Sequence, residues 1–252
     1  MKKSTKWIIG LICLFIILLL GAITFYQLTS GPQKLVKRTQ TIDNNEIENL
    51  KINAEIPVKV TIGDRFKISS KSNQKIKVKQ GNQTLKIKQE EKSILFNHHQ
   101  EDRGYLNVTI PKSVNLSKVV LKSEINSTEI SGLAIDYLDV DNEDGEIMIH
   151  NVKNHRAQIS SEDGDVSVHD FKTNRIDLEN EDGDFGLKNI KANYLKLDNE
   201  DGDIHFKNSK VEKYHTLDVS NEDGDISLKN MKVKHYLEKN DTGSIDKHNV
   251  IK

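Results

Sequence analysis

Apolar residues in the second half of the chain fall in pairs two apart, and the pairs recur at a fixed interval. Counted from a repeated glycine, positions −7 and −5 are Leu138/Val140, Ala157/Ile159, Ile176/Leu178, Leu195/Leu197 and Leu217/Val219. Positions +2 and +4 are Ile147/Ile149, Val166/Val168, Phe185/Leu187, Ile204/Phe206 and Ile226/Leu228. A spacing of two is the strand period. The offset from −5 to +2 is odd, so an unbroken strand would turn one pair outward, and the chain must bend at the glycine. A third apolar position lies at +7, in Val152, Phe171, Ile190, Met231 and Val250, with Ser209 the exception. Its odd offsets demand two further corners. Each repeat is therefore expected to be a three-cornered rung.

The glycines are Gly145, Gly164, Gly183, Gly202, Gly224 and Gly243, at intervals of 19, 19, 19, 22 and 19 residues. A period near twenty marks a solenoid, whose units bury their apolar faces only by stacking. The expected fold is all-β, a right-handed parallel β-helix, the hand following the rule for parallel crossovers. Asparagines repeat at −3 (Asn142, Asn180, Asn199, Asn221, Asn240) and at +6 (Asn151, Asn189, Asn208, Asn230, Asn249), aligned for side-chain hydrogen bonds between rungs. The last repeat puts Glu238 and Lys247 at inward positions, as a polar cap would. Three extra residues around Val211–His215 read as a bulge at one corner.

Before residue 134 the pattern changes. Trp7 to Tyr26 is an uncharged run of twenty residues with aromatic ends, long enough to span a bilayer as a helix. Lys2, Lys3 and Lys6 precede it closely and favour a cytoplasmic amino end. Its length, and the lack of a small-residue cleavage site, favour a retained anchor over a cleaved signal. The expected organisation is a cytoplasmic tail (1–6), a membrane helix (7–26), a polar stalk (27–45), a β-strand cap region (46–133) continuous with the coil, and the repeats (134–252). The protein would then be a single-pass protein of the cell membrane with its carboxyl-terminal domain extracytoplasmic. Cys13 is the sole cysteine, which excludes internal disulfides and thiolate metal clusters.

Val60-Thr61-Ile62-Gly63-Asp64, Thr84-Leu85-Lys86-Ile87 and Leu106-Asn107-Val108-Thr109-Ile110-Pro111, followed by repeated Gly-Asp-Ile turns, resemble the bacterial β-strand-repeat family named "putative adhesin", a domain of unknown function. With one amino-terminal membrane helix, the arrangement also resembles the Lia-type cell-envelope stress proteins. The resemblance implies a β-helical domain at the cell surface and supplies no catalytic motif.

Chemistry concentrates in the turns. Glu143, Asp144 and Glu146 form the first acidic turn; Glu162, Asp163 and Asp165 the second; Glu181, Asp182 and Asp184 the third. Glu200, Asp201 and Asp203, then Glu222, Asp223 and Asp225, complete a ridge along one edge. At a rung spacing of about 4.8 Å, two unit charges repel by about 0.9 kcal/mol in water. The edge is either solvated turn chemistry, a calcium site between rungs, or a surface for a cationic peptide, an envelope polymer or a membrane-protein partner. The 37 basic residues nearly cancel the 38 acidic ones, and lysines at 153, 172, 188, 207 and 229 suggest a separate basic edge.

Nearly identical turns offer no asymmetric acid/base pair, so a binding or scaffolding role in envelope interaction or stress response is expected. The alternative is a polysaccharide-active β-helical enzyme. His150, His169 and His248 read as solvated corner residues, and His98-His99 as part of a polar loop. No basic surface interleaved with aromatics argues for nucleic acid.

Overall fold

A computed structural model describes residues 15–22, 35–43, 46–90 and 104–252. The chain divides into two units, Met1–Leu35 and Val36–Lys252. In the first, residues 15–22 are helical, with Phe15, Ile17 and Leu18 exposed. The remainder of the anticipated membrane span, together with Cys13, lies outside the described residues. Among the described residues no helix is long and apolar enough to cross a membrane.

The second unit is a parallel β-solenoid, as the 19-residue period predicts. Its amino-terminal part contains β1 (Val36–Thr41), β2 (Asn49–Ala54), β3 (Val58–Gly63), β4 (Lys67–Ser72), β5 (Ile76–Gly81), β6 (Thr84–Gln89) and β7 (Tyr105–Pro111). The coil continues through β8 (Leu116–Ile125), β9 (Thr128–Ser131), β10 (Ile135–Asp144), β11 (Ile147–His150), β12 (Arg156–Asp163) and β13 (Val166–Lys172). It ends with β14 (Arg175–Asp182), β15 (Phe185–Lys191), β16 (Tyr194–Asp201), β17 (Ile204–Asp223), β18 (Ile226–Asn240) and β19 (Ile245–Ile251).

One face stacks β6, β2, β8, β10, β12, β14 and β16 in parallel, continuing into the second half of β17. The next face stacks β7, β3, β9, β11, β13 and β15, continuing into the first half of β17. The rung β2/β3 is thus sandwiched between β6/β7 and β8/β9, although it precedes both in the chain. At the amino end β4 pairs antiparallel with β7, β1 with β4, and β5 with β6. The strands of the cap region join the coil through the pairing of β2 with β8 and of β3 with β9. Within 27–45, expected to be a polar stalk, lies β1, whose exposed Val-Lys-Arg-Thr-Gln-Thr sequence suits a sheet edge.

The three corners have distinct causes. At the first, the glycines adopt φ between 114° and 131° from Gly145 to Gly224. Stacking forbids a side chain there, because a Cβ on Gly202 would meet the Gly183 carbonyl oxygen at 2.4 Å. At the second, Asn151, Asp170, Asn189 and Asn230 take φ of 54°, 51°, 55° and 61°, a left-handed region that Asn and Asp tolerate best. The third falls near Thr173–Asn174, where Asn193 Nδ2 donates to Asn174 Oδ1 at 2.7 Å.

The core follows the sequence register. Leu195, Leu197, Ile204 and Leu217 have no exposed surface, and Phe171, Phe185 and Phe206 fill the middle rungs. The insertion before Gly224 shifts the β17–β18 register between Lys207 and Glu212. There Asn208 is buried, and Tyr214 packs edge-on to Phe206 with ring centroids 5.8 Å apart. Asn208 Nδ2 donates to the Tyr214 hydroxyl (2.9 Å), which donates to the Ile190 carbonyl (2.6 Å). Tyr214 therefore substitutes for the apolar residue missing at Ser209. In the final rung, Lys247 Nζ meets the Glu238 carboxylate at 2.7 Å, so the two inward polar residues of the cap neutralise each other.

Candidate functional site

The acidic turns stack in register along one edge, in three rows that differ. At +1 the carboxylates are part of the fold: Asp165 Oδ1 accepts from the Asp184 backbone N–H (2.9 Å) and Asp184 Oδ1 from that of Asp203 (2.7 Å). Asp203 Oδ1 accepts from the Asp225 N–H (2.8 Å) and Asp225 Oδ1 from that of Ser244 (2.7 Å). The Ser244 N–H holds the Asp225 carboxyl below its usual range. Glu146 opens this row and is exposed.

The −1 row is different. Asp144, Asp163, Asp182, Asp201 and Asp223 are direct register partners on successive rungs, all exposed. Beside them run Glu143, Glu162, Glu181, Glu200 and Glu222, also exposed. Among the described residues no basic side chain bridges either row. Loss of hydration, then the Asp182 and Asp144 charges, pushes the Asp163 carboxyl up. Glu162 rises through loss of hydration and the Glu143 and Glu181 charges. For Glu200 the Glu181 charge comes first.

The −3 asparagines sit behind the ridge and bond from rung to rung as expected, but to glycine carbonyls rather than to one another. They serve the glycine turn. Asn199 Nδ2 donates to the Gly202 and Gly183 carbonyls (3.1 and 3.3 Å), Asn221 Nδ2 to that of Gly202 (3.0 Å), and Asn142 Nδ2 to that of Gly145 (2.6 Å). The +6 amides do form rung-to-rung bonds, from Asn189 to Asp170 Oδ1 (2.8 Å) and from Asn249 to Asn230 Oδ1 (2.9 Å).

A second acidic surface escaped the sequence reading. On the outer face of the first strand of each rung, Asp139, Asp141, Asp177 and Glu179 line a shallow depression of about 210 Å³. Three of these acids, Asp141, Asp177 and Glu179, are paired with basic side chains. Arg175 engages both oxygens of the nearly buried Asp177 at 2.8 Å while stacking on Tyr194. Lys122 pairs with Asp141, and Lys196 lies 3.6 Å from Glu179 and 2.8 Å from Asp198. Alternation of −6 and −4 with the apolar −7 and −5 was the available signal.

The lysines expected along one edge divide into two rows. Lys188, Lys207 and Lys229 stack at +5, in register with His150, His169 and His248. Lys153 and Lys172 stack with Lys191 at +8, beyond the second corner. His150 Nε2 lies 3.5 Å from Glu129, which also pairs with Lys59. His98-His99 lies outside the described residues. Among the described residues no group of three or more His, Cys, Asp or Glu side chains is placed to hold a metal ion. Calcium needs converging oxygens, whereas these rows run parallel and the +1 carboxylates are committed to backbone donors.

Fold and surface together define a class: a parallel β-solenoid whose faces carry in-register rows of like side chains. The chain belongs to the Toastrack DUF4097 family, whose model matches residues 47–243. It is similar to the crystal structure of a "putative adhesin" from Bacteroides fragilis, with a TM-score of 0.54 and 15% identity over 86% of this chain and 98% of that one. A "putative adhesin" from Parabacteroides merdae matches with a TM-score of 0.45 and 11% identity, over 86% and 97% of the two chains. A "putative lipid binding protein" from Parabacteroides distasonis matches with a TM-score of 0.41 and 13% identity, over 86% and 98%. No curated protein matches.

Proposed function

We propose that this chain is a non-catalytic binding or scaffolding module of the cell envelope, tethered by the apolar Trp7–Tyr26 segment with the solenoid outside the cell, and that its acidic edge takes a cationic partner. The carrying observation is a contrast between neighbouring surfaces. On the outer strand face, Arg175, Lys122 and Lys196 form ion pairs with Asp177, Asp141 and Glu179; in the −1 and −2 rows beside it, no basic side chain lies within ion-pair distance among the described residues, and only Lys122 and Lys239 act on Glu143 and Glu222 from further off. A row of like charges opposes folding unless an external cation offsets it. Parallel rows fit an extended basic peptide or polymer better than a discrete calcium ion. Family membership and the fold shared with an adhesin-named structure support a binding role. Envelope stress is the setting in which a tethered module of this kind would act.

Two measurements test the proposal. Protease added to intact cells removes the solenoid if it lies outside; protection until lysis refutes the topology. With the full chain in neutral detergent, an eight-lysine peptide is expected to raise the melting temperature more than sodium chloride of equal ionic strength does. Equal shifts would leave the edge as solvated turn chemistry.

A further inference from the structure

We propose that the second and third corners of the coil form a binding surface for a linear acidic polysaccharide, distinct from the acidic edge. Two cationic rows flank the second corner. At +5, His150, His169, Lys188, Lys207, Lys229 and His248 are register partners on successive rungs. At +8, Lys153, Lys172 and Lys191 are partners, and Lys213 pairs with Lys232 further along. The two rows are three positions apart along the chain, so they lie within about 10 Å of each other and one extended chain can touch both.

Little on the protein answers this charge. Glu129 reaches His150, Glu212 lies 3.8 Å from Lys191, and Asp170 accepts from Asn189. No ion pair engages Lys153, Lys172, Lys188, Lys207 or Lys229 among the described residues. Ammonium groups repeated at about 4.8 Å match the advance of one pyranose ring along an extended chain. Each offers three rotatable donors to a carboxylate.

A groove identifies the ligand as a sugar rather than any polyanion. Lys153 and Lys172 share an open groove of about 360 Å³ with Asn154, Thr173, Asn174 and Asn193. The Thr173 hydroxyl and the Asn154 and Asn193 Nδ2 donors are spent on the fold, which leaves the exposed Asn174 Nδ2 to donate and the exposed Asn193 Oδ1 to accept from sugar hydroxyls, while the lysines take the carboxylates. An inorganic polyphosphate can accept from the same amide but carries no hydroxyl to donate to the amide oxygens.

The test titrates the full chain in neutral detergent with polygalacturonate oligomers of two and twelve sugars, with linear polyphosphate and a neutral glucan as comparators. The longer oligomer is expected to bind at least about tenfold tighter than the shorter, through multivalency, and the neutral glucan not at all. Lys153→Gln with Lys172→Gln is expected to weaken binding about tenfold, and Lys188→Gln with Lys207→Gln comparably. Asn174→Ala is expected to weaken polygalacturonate about threefold and polyphosphate less than that. Melting curves identify any variant that misfolds, and the two lysine pairs lie on separate rows, so loss of one still leaves the other informative. The proposal is overturned by absent or length-independent binding, by equal losses for both polyanions in Asn174→Ala, or by the same loss from Lys51→Gln with Lys86→Gln on the remote β2/β6 face. Self-association of the chain that those lysine substitutions abolish, without sugar binding, overturns it equally.

Discussion

At the scale of single residues, alternation decides everything. Leu197 is fully buried between Leu178 and Val219, its register partners, whereas neighbouring Lys196 points outward to Asp198 and Glu179. Leu197→Asp places a charge in a stacked apolar row and is expected to cost more than about 4 kcal/mol, read as loss of the cooperative unfolding transition. Lys196→Gln removes only exposed pairs and is expected to stay within about 1 kcal/mol. Comparable effects at the two sites would place the register one residue off. The alternation was fully legible in the sequence, because a period of two and a period of nineteen leave one choice of inward face. What the −3 asparagines do was not legible. Their spacing announces a ladder, but whether an amide reaches the next amide or a glycine carbonyl depends on how tightly the turn closes.

At the scale of elements, the repeating strands were readable and the early ones only partly. The strands from β2 to β7 could be picked out by composition, yet the placement of β2/β3 between β6/β7 and β8/β9 carries no periodic signature. Strand order in space is set by which edges meet, and local pattern does not encode it. Similarly, β1 is polar along its length, so only its pairing with β4 defines it. The bulge was visible as an interval of 22, but its repair was not. Tyr214 supplies the missing core volume and its hydroxyl joins Asn208 to the Ile190 carbonyl. Burial pushes that phenol up and keeps it protonated as a donor. Tyr214→Phe keeps the ring and leaves Asn208 Nδ2 and the Ile190 carbonyl without it, so chemical denaturation is expected to show a loss of about 1–3 kcal/mol. No loss would mean that ring packing alone closes this rung.

At the scale of the whole molecule, charge is sorted by face, and net charge near zero hides the sorting. Loss of hydration, then neighbouring charges, raises Glu162 and Asp163, and the Glu181 charge followed by loss of hydration raises Glu200. A carboxyl raised in the folded state takes up its proton at higher pH than in the unfolded chain. Its penalty is therefore present at neutral pH and is relieved as pH falls through the folded value toward the ordinary carboxylate range. Glu200→Gln is expected to raise the melting temperature at about pH 7 and to lose that advantage near pH 3. Glu129 has the opposite sign, since its hydrogen bond from Lys59 holds it low. Its contribution is present above the ordinary range and fades as pH falls, so Glu129→Gln is expected to lower the melting temperature near neutrality and to change little in acid. Parallel pH profiles for wild type and both variants would show that these rows are too well hydrated to feel one another.

The acidic turns were legible as a ridge, but not their division into one row bound to the backbone and two rows left open, since all three are rows of carboxylates and the sequence does not show which of them reach a backbone N–H. On that division the proposed function rests. The most direct test is a titration of the full chain with the eight-lysine peptide, comparing neutralisation of the open rows with neutralisation of the compensated face. Glu181→Gln, Asp182→Asn, Glu200→Gln and Asp201→Asn together are expected to weaken binding at least about tenfold, while Asp141→Asn with Glu179→Gln changes it less than about twofold. Equal losses from the two sets, or binding untouched by the first, would contradict the claim that the open acidic rows are the ligand surface.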